Sequence, residues 1–410
     1  MKRLLLITPN LPYPPQSGSG LRAYGLLRGL KDYAANFPLE IDLLAYHDDS
    51  VQPRTTPLVN YCASITTAST PARSKRERLQ ALFTSSQPDI AQRLESSEIR
   101  AKLKQLMAAK TYDFVLYIGL ETAILMKQAR ALQPNCQQIY DAANVEHLLQ
   151  KRIAAVDKGS MRRRPAALYS QIQVGRIWRF ESAICRSADA VTAVSEEDAR
   201  VLSQFRPDHK ISVVPNGIFT ADYQQASETL DLGQHPLVFT GKMDYRPNVD
   251  AMLWFCDEVL PRVTAEIDDC KLYVVGQKPH GSLTALSGNP HIEVTGWVAS
   301  VTPFLRSAGV YVTPLRMGSG TRLKLLEAMA AGCAIVSTSL GAEGLSSDAI
   351  SAMRIENDAS GFAAAIIDLL RDRSERKRLG EKAQQVAASQ YDWSAIIPNL
   401  TAVLRTLADG

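Results

Sequence analysis

Apolar residues fall along this chain in two alternating patterns: short, nearly unbroken runs, and longer stretches in which they recur every third or fourth position. Runs of the first kind at 2–8 (KRLLLIT), 40–46, 61–66, 113–118 (DFVLYI), 137–141, 190–194 (AVTAV) and 211–215 predict strands. Stretches of the second kind at 21–33, within 70–110 and at 176–187 predict helices between them. Runs without polar alternation are buried on both faces, so the first half reads as a doubly wound parallel sheet. The alternation resumes with strands at 237–240, 270–276, 292–294, 310–314 and 333–337 and helices at 250–263, 301–306, 322–331 and 360–384. A last helix is expected after Tyr391. The polar interval between the halves, 216–236, reads as a linker.

Residues 310–338 organise the second half as a strand, a loop Gly318-Ser319-Gly320-Thr321, a helix and a strand. Two glycines let backbone approach a ligand, and the unpaired N–H groups and dipole of the helix start favour an anion. Thr321 is placed to cap the helix. Arg322 and Lys324 put two cations in the first turn, where the dipole disfavours them, and an anionic partner would remove that conflict. Glu327 follows Lys324 by three positions and shares its face, while Leu323, Leu326 and Ala330 are expected to form the buried stripe. Phosphate donors followed a turn later by a carboxylate suited to paired hydroxyls fit a diphosphate joined to a ribose.

The segment GSGTRLKLLEAMAAGCAIVSTSLGAEGL resembles the donor-binding segment of retaining nucleotide-sugar glycosyltransferases of the GT-B fold, family 4 or group 1. The resemblance implies two Rossmann-like, doubly wound α/β domains facing a cleft. It assigns 1–215 to an acceptor-side domain completed by a C-terminal helix at 391–408, and 237–388 to a donor-binding domain. Members commonly carry two glutamates eight positions apart, the second holding the ribose; Glu327 matches the second, whereas Ser319 stands where the first is expected. Arg322 and Lys324 would contribute to diphosphate binding, Arg322 with a catalytic role, and Lys242 in Gly241-Lys242-Met243-Asp244-Tyr245-Arg246 would touch phosphate. Gly18 and Gly20, before the first helix, would approach the donor phosphate and the acceptor.

Asp141-Ala-Ala-Asn144-Val-Glu146-His147 resembles the family's Asn-Val-Glu segment, with Ala143 where many members have histidine. It leaves Asp141, Asn144, Glu146 and His147 as candidates for the reacting sugar, with Glu146 the catalytic choice. Trp297 reads equally as a neighbour of the base or as core. The implied reaction moves a hexose from a nucleotide-diphosphate sugar, the co-substrate, to a saccharide or lipid-linked acceptor in exopolysaccharide or cell-surface glycan synthesis. It needs no cofactor and no metal, because the cations and the helix start supply positive charge.

Length and composition narrow this further. At 410 residues, with 46% hydrophobic and 21% charged residues, the chain suits two ordinary globular domains. The apolar run near Met1 is short, so the start reads as a first strand rather than a signal peptide, and no window reaches the length of a membrane span. Six cysteines without Cys-x-x-Cys spacing argue for reduced thiols and a cytoplasmic location. The net charge of +4 hides a basic first half and an acidic second half. Clusters at Arg73, Lys75, Arg76, Arg78 and at Arg162–Arg164 would suit a peripheral contact with anionic membrane at its inner face. They lack the interleaved aromatics of a nucleic-acid surface. A nucleotide-sugar epimerase and a non-catalytic nucleotide-sugar-binding subunit of a glycan assembly complex are the alternatives.

Overall fold

The computed structural model describes residues 1–15, 18–47, 52–158, 164–224, 229–317 and 323–409. Two compact units result, one from Met1–Pro215 with Ile396–Gly410, the other from Asn216–Ala395.

The first unit is built on seven parallel strands: β1 (Lys2–Thr8), β2 (Leu39–His47), β3 (Ser64–Ser69), β4 (Phe114–Ile118), β5 (Gln137–Ala142), β6 (Ala190–Ala193) and β7 (Ser212–Val213). Their order is β3-β2-β1-β4-β5-β6-β7. Leu4, Leu5, Leu6 and Ile7 are fully buried, as an apolar run covered on both faces requires. The second unit holds β8 (His235–Thr240), β9 (Cys270–Val275), β10 (Ile292–Gly296), β11 (Val310–Thr313), β12 (Ile335–Ser337) and β13 (Arg354–Ile355), in the order β10-β9-β8-β11-β12-β13. These strands too are all parallel. Each chain path starts mid-sheet, winds outward one way, then returns to wind the other way. The strand order therefore reverses between β1 and β4 in one unit and between β8 and β11 in the other.

Several elements differ from the sequence reading. The first helix starts at Gly18 and runs to Tyr33, so Gly18 and Gly20 lie in its first turn and not in a preceding loop. The glycines cost helix propensity, yet Arg22, Ala23, Leu26, Leu27 and Leu30 are buried on the stripe they begin, and packing decides. In the helix Leu323–Ala330, Leu325 joins Leu326 and Ala330 in the buried set, while Leu323 stays partly exposed. Trp297 is 64% exposed and is not core. The stretch read as a linker carries a short helix, Thr220–Gln224, in the second unit. Thr220 N and Oγ1 donate to Asp392 Oδ2 at 3.0 and 2.7 Å, and Ile218 pairs with the main chain of Tyr391 and Trp393.

Candidate functional site

In the second unit, the loops leaving β8 and β11 diverge at the reversal of strand order, where open α/β sheets hold their ligands. The local backbone is built for close approach. Gly241, just after β8, has φ +154° and Gly276, just after β9, has φ +151°. A Cβ on Gly276 would lie 1.7 Å from the Gly241 carbonyl oxygen; one on Gly241 would lie 2.7 Å from Asn248 Nδ2 and 2.8 Å from Lys324 Nζ. Only glycine fits either position.

That packing brings Lys324 and Asn248 together from the helices that follow β11 and β8. Lys324 Nζ donates to Asn248 Oδ1 at 2.8 Å and lies 4.0 Å from the centroid of the Phe239 ring. Asn248 Nδ2 in turn donates to the Lys242 carbonyl at 2.9 Å, which turns the amide oxygen toward the ammonium. Both contacts orient the Lys324 ammonium. Lys242 itself is exposed, with Nζ 3.3 Å from Asp244 Oδ1. One turn beyond Lys324, Glu327 accepts a 2.9 Å hydrogen bond on Oε1 from the Tyr223 hydroxyl. Burial pushes the Glu327 carboxyl up; the Tyr223 bond and Lys324 oppose that rise. Gly318, Ser319, Gly320, Thr321 and Arg322 lie outside the described residues.

The first unit gathers a second cluster at the carboxyl ends of β4 and β5. Glu146 opens the helix Glu146–Lys158, and Glu181 reaches its N-terminus from the helix Arg164–Ser187. Fully buried, Glu181 accepts from Glu146 N at 2.9 Å and His147 N at 3.4 Å, and its Oε2 lies 2.5 Å from His147 Nδ1. A carboxylate at a helix start satisfies unpaired N–H groups and complements the dipole. Asn144 Nδ2 donates to Glu146 Oε1 at 3.3 Å, and Glu121, beyond β4, pairs with Arg93 at 2.8 Å. Burial, with the nearby charges of Glu121 and Glu181, pushes the Glu146 carboxyl up to about 8, so it is mostly protonated at neutral pH. His147 is held by Glu181, and Asp141 by a buried ion pair with Arg22. Those two candidates are thereby bound into the framework, and Glu146 is the group at this edge with a perturbed proton. Gly18 is exposed and Gly20 buried in the first turn of their helix.

The sequence reading missed Asn248, Tyr223, Glu121, Glu181 and Arg22. A signal existed for Arg22, a cation on the buried stripe of an apolar helix, and for Asn248, an amide in the first turn of the helix Arg246–Trp254. Tyr223 and Glu181 carried none, since each acts on a helix more than thirty positions away in sequence.

With this geometry in place, residues 234–372 match the family described as glycosyl transferases group 1, and residues 145–222 match glycosyltransferase family 4. The chain belongs to these glycosyltransferases. A phosphatidyl-myo-inositol mannosyltransferase of Mycolicibacterium smegmatis is 29% identical over 203 residues, which are 48% of this chain and 52% of that protein. An uncharacterized 44.6 kDa protein in the cps region of Klebsiella pneumoniae is 25% identical over 181 residues, 42% of this chain and 47% of that protein. The chain thus spans about half the length of the curated relatives it matches. Sucrose-phosphate synthase from Thermosynechococcus elongatus superposes with a TM-score of 0.73 at 18% identity, covering 100% of both chains. That likeness shows the fold: this chain has two Rossmann-like domains of the GT-B class.

Proposed function

We propose that this glycosyltransferase moves a hexose from a nucleotide-diphosphate sugar to a saccharide or lipid-linked acceptor, with retention of anomeric configuration and without a divalent metal. The observation that carries the reading is the oriented Lys324 ammonium at the strand-order reversal, with Glu327 one turn further on. Lys324, with Lys242 and Arg322, offers positive charge to a diphosphate, and Glu327 offers acceptor oxygens to ribose hydroxyls. Gly318, Ser319, Gly320 and Thr321 would bring main-chain N–H groups to the same phosphates. As the bond between C1 and the diphosphate oxygen breaks through an oxocarbenium-like state, the acceptor oxygen bonds C1 on the same face. Its proton passes to the departing phosphate. Glu146, in its protonated form, donates a hydrogen bond to the reacting sugar.

An acceptor in exopolysaccharide or lipid-linked glycan synthesis is favoured by the relatives named for a lipid substrate and for a cps region. Among the described residues no helix is long and apolar enough to cross a membrane. The exposed Leu168 and Ile172, one turn apart, share a helix face with exposed Arg179, a pattern suited to peripheral contact with anionic lipid at the inner membrane face.

The test is a thermal-shift panel of UDP-, GDP- and ADP-sugars with and without Mg²⁺, on the wild type and Glu327→Ala. Stabilisation by one nucleotide sugar without metal, lost in the variant, is expected. No stabilisation by any of them would return the motif to a structural turn and favour a non-catalytic assembly subunit.

A further inference from the structure

The donor reading leaves unexplained why Glu327, its ribose-binding group, already holds a hydrogen bond from a residue about a hundred positions earlier. Tyr223 sits in the helix Thr220–Gln224, and this segment is held at both ends. Asp392 receives two hydrogen bonds from Thr220, Ile218 joins the main chain of Tyr391 and Trp393, and Arg306 NH1 donates to the Tyr223 carbonyl at 3.1 Å. A phenol so anchored cannot follow a wandering carboxylate; it sets where the carboxylate stands.

We propose that Tyr223 is a positioning residue for nucleotide binding: its hydroxyl fixes Oε1 of Glu327, so that Oε2 is presented to the ribose hydroxyls. This inference rests on the donor reading of Glu327. The chemistry is one-sided. Burial and the neighbouring Glu327 charge raise the Tyr223 phenol well above its ordinary range, so it donates and does not ionise. A carboxylate accepts only, whereas a protonated carboxyl spends one oxygen as a donor and serves a pair of ribose hydroxyls less well. Burial favours the protonated form of Glu327, and the Tyr223 bond is one of two influences opposing it, Lys324 being the other. Tyr311 on β11 is within electrostatic reach, its hydroxyl engaged with Thr240 Oγ1 at 2.8 Å. The helix Arg373–Val386 and the turn after it meet the other face with apolar Ala383, Val386 and Ala387. Tyr223 and Lys324 thus both favour the ionised form of Glu327 against its burial.

The test titrates UDP, GDP and ADP by calorimetry from pH 5.5 to 9 against wild type, Tyr223→Phe, Glu327→Gln and the double variant; a melting curve for each checks folding. Tyr223→Phe is expected to bind the preferred diphosphate roughly tenfold more weakly near pH 6 and to approach wild type near pH 9, its acid limb displaced to higher pH. In the Glu327→Gln background, where nothing at this position titrates, the same change should leave the pH profile untouched. A Tyr223→Phe profile that overlays wild type, or a loss equal at every pH, overturns the positioning role while leaving the donor site intact. If Glu327→Gln itself binds like wild type at every pH, the donor reading of Glu327 falls first.

Discussion

Arg22 and Asp141 meet through two hydrogen bonds of 2.6 Å, Nε to Oδ2 and NH2 to Oδ1, with the side chains 1% and 2% exposed. Two further guanidinium donors reach the Val214 and Pro215 carbonyls at 3.0 and 3.1 Å, and Thr192 Oγ1 donates to Asp141 Oδ1 at 2.6 Å. One ion pair therefore joins the first helix, β5, β6 and the chain leaving β7. Its bidentate geometry and the further hydrogen bonds to both partners are what make a buried pair tolerable.

Breaking it from one side should be costly. Asp141→Ala strands a guanidinium in the interior, and a loss of about 3–5 kcal/mol in unfolding free energy is expected from urea denaturation. Replacing both partners, Arg22→Met with Asp141→Leu, removes the charges together and should cost much less. Equal losses for the single and double replacements would contradict a charge-based origin and point to packing alone.

At the donor site, Asn248 is expected to act through Lys324. Asn248→Ala removes the acceptor that aims the ammonium and should weaken nucleotide-sugar binding by about tenfold, the worth of one hydrogen bond to a charged group. Asn248→Asp places a carboxylate where Oδ1 stands 2.8 Å from Nζ, neutralises the cation and adds repulsion toward a diphosphate. Calorimetry should rank binding as wild type, then Asn248→Ala, then Asn248→Asp. Should Asn248→Asp bind as well as wild type, Lys324 is no phosphate ligand.

What could be read beforehand follows how local each signal is. The apolar runs foretold the parallel strands because burial on both faces leaves a one-dimensional trace; KRLLLIT is β1, and β4 is FVLYI of the run DFVLYI. Lys324 and Glu327 could be paired from spacing, since three positions is nearly one helical turn. Long-range partners left no such trace. Tyr223 lies in a polar stretch whose helix depends on the bond from Thr220 to Asp392, 172 positions apart, and Glu181 caps a helix whose first residue lies 35 positions before it. The reading of 216–236 as linker left out the helix Thr220–Gln224 for that reason, and the choice among Asp141, Asn144, Glu146 and His147 could not be made without their partners.

The carboxyl of Glu146 provides a prediction whose sign can be worked out. Its value of about 8 in the fold lies above the ordinary 4.5, through burial and the charges of Glu121 and Glu181, against Asn144 and Arg93. Below pH 4.5 the group is protonated in folded and unfolded chains alike and costs nothing. Between 4.5 and 8 only the unfolded chain releases the proton, so stability falls with rising pH until the folded form ionises too. Glu146→Gln cannot ionise, and its unfolding free energy should fall less between pH 6 and 9 than that of wild type, by on the order of 2 kcal/mol. The same variant separates two catalytic roles. If the protonated carboxyl donates to the reacting sugar, wild-type turnover declines above about pH 8, while Glu146→Gln, which keeps an N–H donor, retains partial activity with a flatter alkaline limb and Glu146→Ala is impaired throughout. Turnover that instead rises through pH 8 in wild type and vanishes in Glu146→Gln would make the ionised carboxylate a base and overturn the donor role.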